Sequence, residues 1–285
     1  MAINPKSQAR PDNPVVLPET RIATMLHEHI VGGSDFFGLF SRQDISTQSV
    51  KLLVGTKVTR AGVVGEGETI PSKKDTASEV ECAPVKYGEM GRLTQENIDD
   101  SNPSVLERRV RRIADAITLG ADDDFLNAAK PESGKENSSP NAGILLGVES
   151  AGEIKDNLDA VKDAKAAIRL ARGTASVFIV HPTSANALRK IKRKLADGTD
   201  SNEYLLQGDT IADGLRVVES EHMKAGLALI ADTGAATVVV RKATEVKLLT
   251  ELYAETDEIG CRGTFRAGWL VTNADQLRTV KVPTK

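Results

Sequence analysis

Residues 101–127, SNPSVLERRVRRIADAITLGADDDFLN, decide how the rest of the chain is read. Ser101 and Asn102 are side-chain types that accept from the first free helical amides, and Pro103 suits a first helical turn, so a long helix is expected to start there. Leu106, Val110, Ile113, Ile117 and Ala121 follow at steps of four, three, four and four and continue to Phe125. That spacing draws one apolar stripe along a helix of roughly 25 residues and about 37 Å. Arg108, Arg109, Arg111 and Arg112 flank the stripe and are read as solvent-facing or as intersubunit salt-bridge partners.

Upstream, residues 1–17 hold Pro, Asn, Ser, Gln and isolated charges, with Pro5, Pro11 and Pro14 followed by Pro18. Such a segment cannot offer a packed face and reads as a flexible or partner-ordered arm. Ile22, Met25, Leu26 and Ile30 carry helical spacing from about Thr20 to Ile30, stopped by Gly32-Gly33. Ser34-Asp35 then heads a short turn bearing Phe36, Phe37, Leu39 and Phe40. Lys51 to Tyr87 is strand-like, broken by Gly55, Gly62, Gly65, Gly67 and Pro71, with the polar stretch Ser72-Lys73-Lys74-Asp75 near its middle, which suggests a long hairpin with a polar tip. Limbs of about a dozen residues would reach ~40 Å, against a radius of gyration of ~19 Å for a compact chain of this length. Its apolar content is thin, and an isolated ribbon is marginal in water, so the hairpin is expected to project and to lie on another subunit.

Between the hairpin and the long helix, Leu93 to Asp100 reads as a short helical stretch. Beyond the helix, Lys130 to Asn141 is a loop leading to the apolar, buried-looking Gly143-Ile144-Leu145-Leu146. Helix and strand then alternate. A helix over Asn157 to Arg172 shows Leu158, Val161, Ala164, Ile168 and Ala171 on one face; Val177-Phe178-Ile179-Val180 is a buried strand; and Thr183 or Ser184 caps a helix through Leu188, Ile191 and Leu195, closed by Asp197-Gly198. Strands at Leu215 to Val218 and Ala225 to Ala231 complete a compact α/β module. The remainder is β-rich, from Ala236 through Leu252, then Gly263 to Thr272 and Leu277 to Val282.

Composition narrows the functional classes. The chain has 285 residues, 37 Lys plus Arg against 40 Asp plus Glu, and a formal charge of −3, unlike a dedicated nucleic-acid binder. Cys82 and Cys261 cannot form a disulfide framework and read as small hydrophobic fillers of a reduced protein. No run approaches the ~18 apolar residues of a membrane span, and the first residues lack an apolar signal core, so a soluble chain made inside the cell is expected. Gly62, Gly65 and Gly67 stand in the wrong order for a dinucleotide loop, and no phosphate-loop motif exists. His27-Glu28-His29 puts its imidazoles two apart, unlike the one-face zinc arrangement, and reads as an exposed or partner-facing pair. The run Arg189-Lys190-Ile191-Lys192-Arg193-Lys194 reads as the solvated outer face of a helix end rather than a polyanion site. His181 before Pro182 reads as a packing residue at a strand end; the enzyme rival would place a site beside it. No catalytic, cofactor or metal residue is assigned.

The order of segments carries a resemblance. An arm, a hairpin with Glu66-x-Glu68-x-Ile70-Pro71, a capped long helix, Asp124-Phe125-Leu126-Asn127, a loop, Gly143-Ile144-Leu145, then His181-Pro182 with Leu188-x-x-Ile191-Lys192 and Asp197-Gly198 together resemble the major capsid protein of tailed phages with the Hong Kong 97 fold, over roughly residues 50 to 270. The resemblance implies an α+β fold with an N-arm at 1–50, an E-loop at 51–87, a P domain at 88–144 with its spine helix at about 103–127, an A domain at 145–240, and returning P-domain strands with a C-terminal strand at 241–285. It implies a head protein that self-assembles as hexamers and pentamers into an icosahedral shell around double-stranded DNA, without enzymatic activity. Scaffolding, portal and minor cement proteins are the further partners implied, with the shell assembled in the host bacterial cytoplasm. Intersubunit contacts are expected from Glu66, Glu68, Ile70, Pro71, Lys73, Lys74 and Asp75 of the E-loop and from Arg108, Arg109, Arg111 and Arg112 of the spine helix. In the cross-linking branch of that family a lysine precedes the E-loop proline; Ile70 stands there, and Lys73 and Lys74 lie beyond, so noncovalent reinforcement is expected. The long N-terminal scaffolding extension of some members is lacking, which implies that it is cleaved or is a separate chain. The nearest alternative, an encapsulin-type compartment shell, typically begins with a helix rather than a Pro-rich arm such as Asn4 to Pro18.

Overall fold

The expected apolar spacings become helices and strands almost throughout the computed structural model, which describes residues 19–54, 63–69, 78–94, 104–128, 141–194, 199–212 and 214–284. In chain order the first elements are α1 (Glu19–Gly33), β1 (Ser41–Ile45), β2 (Val50–Val54), β3 (Ser78–Cys82), β4 (Val85–Thr94) and α2 (Ser104–Asn127). Then follow β5 (Ser150–Glu153), α3 (Asp159–Leu170), β6 (Val177–Val180), α4 (Pro182–Lys190), β7 (Lys192–Lys194) and β8 (Asp200–Tyr204). The last are β9 (Thr210–Ile211), β10 (Leu215–Glu219), β11 (Leu227–Ala231), β12 (Ala236–Tyr253), β13 (Glu258–Val271) and β14 (Leu277–Lys281). They form a four-stranded sheet in the order β1-β12-β13-β4, a six-stranded sheet in the order β5-β14-β11-β6-β10-β9, and the ribbons β2-β3 and β7-β8.

The chain divides into two compact units. The first comprises residues 1–30, 88–117 and 244–265. Ile22, Leu26 and Ile30 of α1 and Val110, Ile113 and Ile117 of α2 are buried, as the stripes require. At Gly263 on β13 an added Cβ would lie 2.6 Å from Ile113 Cγ2 and 3.1 Å from Leu26 Cδ2, so only glycine lets both helices sit this close to the strand. Each histidine of the pair has a neighbour inside the chain, and His29 is exposed as expected. His27 Nδ1 lies 2.9 Å from Thr244 Oγ1, and His29 Nε2 lies 3.0 Å from Asp115 Oδ1. Leu93 and Thr94 correct the expected short helix, because they finish β4; residues 95–103 lie outside the described residues.

The second unit comprises residues 31–87, 118–243 and 266–285. Its six-stranded sheet carries α3 and α4, with Val161, Ala164 and Ile168 of α3 and Leu188 of α4 in one core with Phe178, Ile230 and Val280. A second focus is aromatic: Phe36 stacks on Phe125 at 5.1 Å, and Phe125 meets the edge of Trp269 at 5.6 Å, geometries that suit the ring quadrupoles. The end of α2 leaves carbonyls that need donors. Ala128 and the last turn receive them from Gly143, Ile144 and Leu145, whose amides donate to Ala128 O, Phe125 O and Leu126 O. This close approach leaves no space at Gly143, where a Cβ would fall 2.5 Å from Leu126 O. Of the expected buried run, Ile144 is buried while Leu146 is exposed.

The helix expected through Leu195 is shorter. His181 caps it, its Nδ1 accepting from Thr183 N at 3.2 Å, and Pro182 opens the first turn. It ends at Lys190; Ile191 turns extended and Lys192 to Lys194 pair with β8. Leu205 N donates to Ile191 O at 2.9 Å, so a tertiary partner replaces the next helical turn. Residues 195–198 lie outside the described residues.

Candidate assembly surfaces

Three surfaces bear on the expected intersubunit residues. The first begins with β2 and β3, which pair antiparallel with Val50 opposite Cys82 and Val54 opposite Ser78. Val50 and Leu52 cover a small cluster of Ile45, Cys82 and Val239, whereas Leu53 on the other face is exposed. Ser49 Oγ donates to Glu81, and Lys51 Nζ lies 3.6 Å from Glu79. Alternation therefore buries one face of the ribbon and leaves an apolar residue on the other. These strands form the base of the expected hairpin.

Further along, residues 63–69 hold a turn closed within itself. Glu68 N donates to Gly65 O at 3.1 Å and Gly65 N donates back to the Glu68 carboxylate at 3.1 Å. Gly67 takes φ +81, which favours glycine. Glu66 and Glu68 are exposed, and Val63 is exposed at 102%. Ile70, Pro71, Lys73, Lys74 and Asp75 lie outside the described residues.

The second surface lies in the first unit. Leu93 and Val105 line an open groove of about 420 Å³ together with five arginines, Arg92, Arg108, Arg109, Arg111 and Arg112. The sequence-expected helix arginines are thus brought together, and Arg92 of β4 joins them. Arg92 lies over the Tyr253 ring at 4.0 Å and 3.7 Å from Glu258, a cation–π contact and an ion pair that hold it in place. Arg109 is half-buried against Gly91, where a Cβ would come 2.3 Å from its Nε. That Nε has no hydrogen-bond partner among the described residues. No carboxylate is among the described residues that line the groove, so cations cluster there although the chain is net negative.

The third surface is the basic run. Arg189 and Lys190 end α4 and Lys192 to Lys194 form β7, and three of these cations meet carboxylates: Arg189 pairs with Glu219, Arg193 Nη1 lies 3.8 Å from Glu203, and Lys194 Nζ lies 3.4 Å from Asp156. Those acids are distant in sequence and gave no local signal. His181 Nδ1 lies 2.7 Å from Thr183 Oγ1 as part of the cap. Among the described residues no group of three or more His, Cys, Asp or Glu side chains could hold a metal ion, and no helix is long and apolar enough to cross a membrane. Cys82 and Cys261 are both free and buried, and burial pushes each thiol up to about 11.

Comparison with known proteins completes the picture. The phage capsid family matches residues 14–282. Among curated proteins none matches by sequence. Solved structures similar to this one include a chain of Mycobacterium phage Adephagia, 17% identical, with a TM-score of 0.69, covering 87% of this chain and 89% of that one. A chain of the capsid of an empty GTA particle is 19% identical, with a TM-score of 0.69 and coverage of 87% and 89%. A chain of Microbacterium phage Oxtober96 is 17% identical, with a TM-score of 0.68 and coverage of 87% and 90%.

Proposed function

This chain belongs to the phage capsid family and is a major capsid protein; from that premise we propose that its copies join as hexamers and pentamers into an icosahedral shell enclosing double-stranded DNA. The observation that carries the reading is the family match across residues 14–282, in a chain whose fold is similar to that of a chain of a solved GTA capsid. The encapsulin alternative is not favoured by these likenesses. Function here is geometry rather than turnover, and the shell is assembled in the host bacterial cytoplasm with scaffolding, portal and cement proteins as further partners.

In this reading residues 1–50 are the N-arm, residues 51–87 the E-loop, residues 88–144 the P domain, residues 145–240 the A domain, and residues 241–285 the returning P-domain strands and a C-terminal strand. Two features support intersubunit roles for Glu66, Glu68, Ile70, Pro71, Lys73, Lys74 and Asp75 and for Arg108, Arg109, Arg111 and Arg112. The turn at 65–68 presents exposed carboxylates with a fully exposed valine beside them, and the groove presents clustered guanidinium groups. An apolar residue left wholly in water gains by burial against another copy.

Electron microscopy of the purified protein tests the function: closed shells built of hexamers and pentamers are expected. Deletion of Glu66 to Asp75 is expected to leave the α/β unit folded by circular dichroism and to abolish shells. A chain that stays monomeric under all assembly conditions would reject the function, and normal shells from the deletion would reject the E-loop role.

A further inference from the structure

We propose that the arginine groove between β4 and α2 receives the acidic β12–β13 hairpin tip, Glu251 to Asp257, of a second copy of this chain; the inference rests on the shell-forming function proposed above. The tip is preformed. A single 3₁₀ turn at Ala254–Thr256 is closed by Asp257 at φ 52 and ψ 41, a left-handed conformation that aspartate tolerates better than most residues. Thr256 Oγ1 donates to Tyr253 O at 3.2 Å and lies 3.2 Å from Glu258 Oε2. A segment already ordered loses little conformational freedom on docking.

The charges and apolar surface of the two parts match. Glu251, Glu255 and Asp257 are exposed, with no ion-pair partner among the described residues, and Leu252 between them is 55% exposed. Opposite them in kind, the groove sets guanidinium groups around the apolar Leu93 and Val105. Arg111 and Arg112 are exposed and have no carboxylate partner among the described residues. The planar guanidinium fork suits a carboxylate in paired hydrogen bonds.

The chain's own tip does not meet this need. Within one chain Glu258 and Tyr253 engage Arg92, yet among the described residues no carboxylate pairs with Arg111 or Arg112 and no base with Glu251 or Glu255. Two complementary patches unsatisfied on one molecule give a head-to-tail contact, which closes into a ring or continues as a lattice.

Charge reversal tests the pairing. Three variants are compared with the wild type under conditions in which the wild type forms shells: R111E/R112E, E251K/E255K, and the four changes together. The shell fraction is read by sedimentation and electron microscopy, with circular dichroism melting to establish that each variant is folded. Each pair alone is expected to lower the shell fraction by about tenfold or more, and the four changes together to restore it to within about twofold of wild type. The contact is overturned if either folded pair variant assembles normally, or if the folded fourfold variant does not recover. It is equally overturned if E66K/E68K, rather than E251K/E255K, rescues R111E/R112E, which would give the groove to the turn at 65–68. Normal shells of R111E/R112E that enclose less DNA would overturn it in favour of phosphate binding. A wild type that forms no shells at all defeats the capsid function, whereas wild-type shells with unaffected variants defeat only this contact.

Discussion

Asp122 shows what a single buried carboxylate does to this fold. It is 2% exposed at the end of α2, accepting from Ser34 Oγ at 2.5 Å and from Asp35 N at 3.0 Å. Burial pushes its carboxyl up to about 6, more than those hydrogen bonds and nearby His222 pull it down. The folded state therefore binds the proton more tightly than the unfolded chain, whose carboxyl keeps an ordinary value near 3.8. The resulting stabilisation is fully present below the unfolded value and is lost as pH rises through about 6. The neighbouring groups Asp35, Asp123, Asp124 and His222 are common to wild type and variant, so the comparison must be a difference. Asp122→Asn keeps an acceptor and cannot ionise, and is expected to be more stable than wild type at pH 8 by on the order of 2 kcal/mol, with the gap closing toward pH 4. Urea unfolding of the unassembled proteins across that range measures it; a gap that does not change with pH would remove Asp122 from this role. Nothing in the local pattern Asp122-Asp123-Asp124 singles out the first of the three, because burial is set by the turn at Ser34.

At the scale of elements, α2 is the most legible part of the chain. Its stripe repeats across six apolar positions, and the five from Val110 to Phe125 are buried as the period demands. Ile117→Ala should cost about 2–5 kcal/mol through lost burial and a cavity, since Ile117 is 3% exposed. Leu119→Ala, at a site 47% exposed, should stay within about 1 kcal/mol. Denaturant midpoints of the two variants decide this, and equal losses would contradict the assigned face. α4 and β7 illustrate the opposite case. The spacing of Leu188, Ile191 and Leu195 fits a helix as well as any other in the chain, yet Ile191 O accepts from Leu205 N and Lys192 pairs with Tyr204. A competing set of backbone hydrogen bonds from distant residues won over local periodicity.

On the scale of the whole molecule, the six-stranded sheet is assembled out of chain order. β14 lies between β5, to which it runs parallel, and β11, to which it runs antiparallel. Leu277 and Val280 are fully buried there. Removing residues 274–285 would strip a central strand, exposing two unpaired sheet edges and the core beneath them. The truncated chain is expected to lose cooperative unfolding and to become protease-sensitive, whereas removal of residues 284–285 alone should change little. Retained cooperative melting of the longer truncation would show that the strand is dispensable.

The sequence by itself determined the elements whose partners lie within a few turns: the α2 stripe, the Gly32-Gly33 stop, the aromatic turn after Ser34, the buried strand at Val177 to Val180, and the succession of segments that resembles a capsid protein. These follow from periodicity and backbone preference, which are local. Tertiary structure alone decided which strands are neighbours, where α4 ends, that Arg189, Arg193 and Lys194 of the basic run meet Glu219, Glu203 and Asp156, and that Arg92 joins the helix arginines in one groove. Each of those depends on residues ten or more positions apart meeting in space, and the free energy of such meetings is not set by local periodicity.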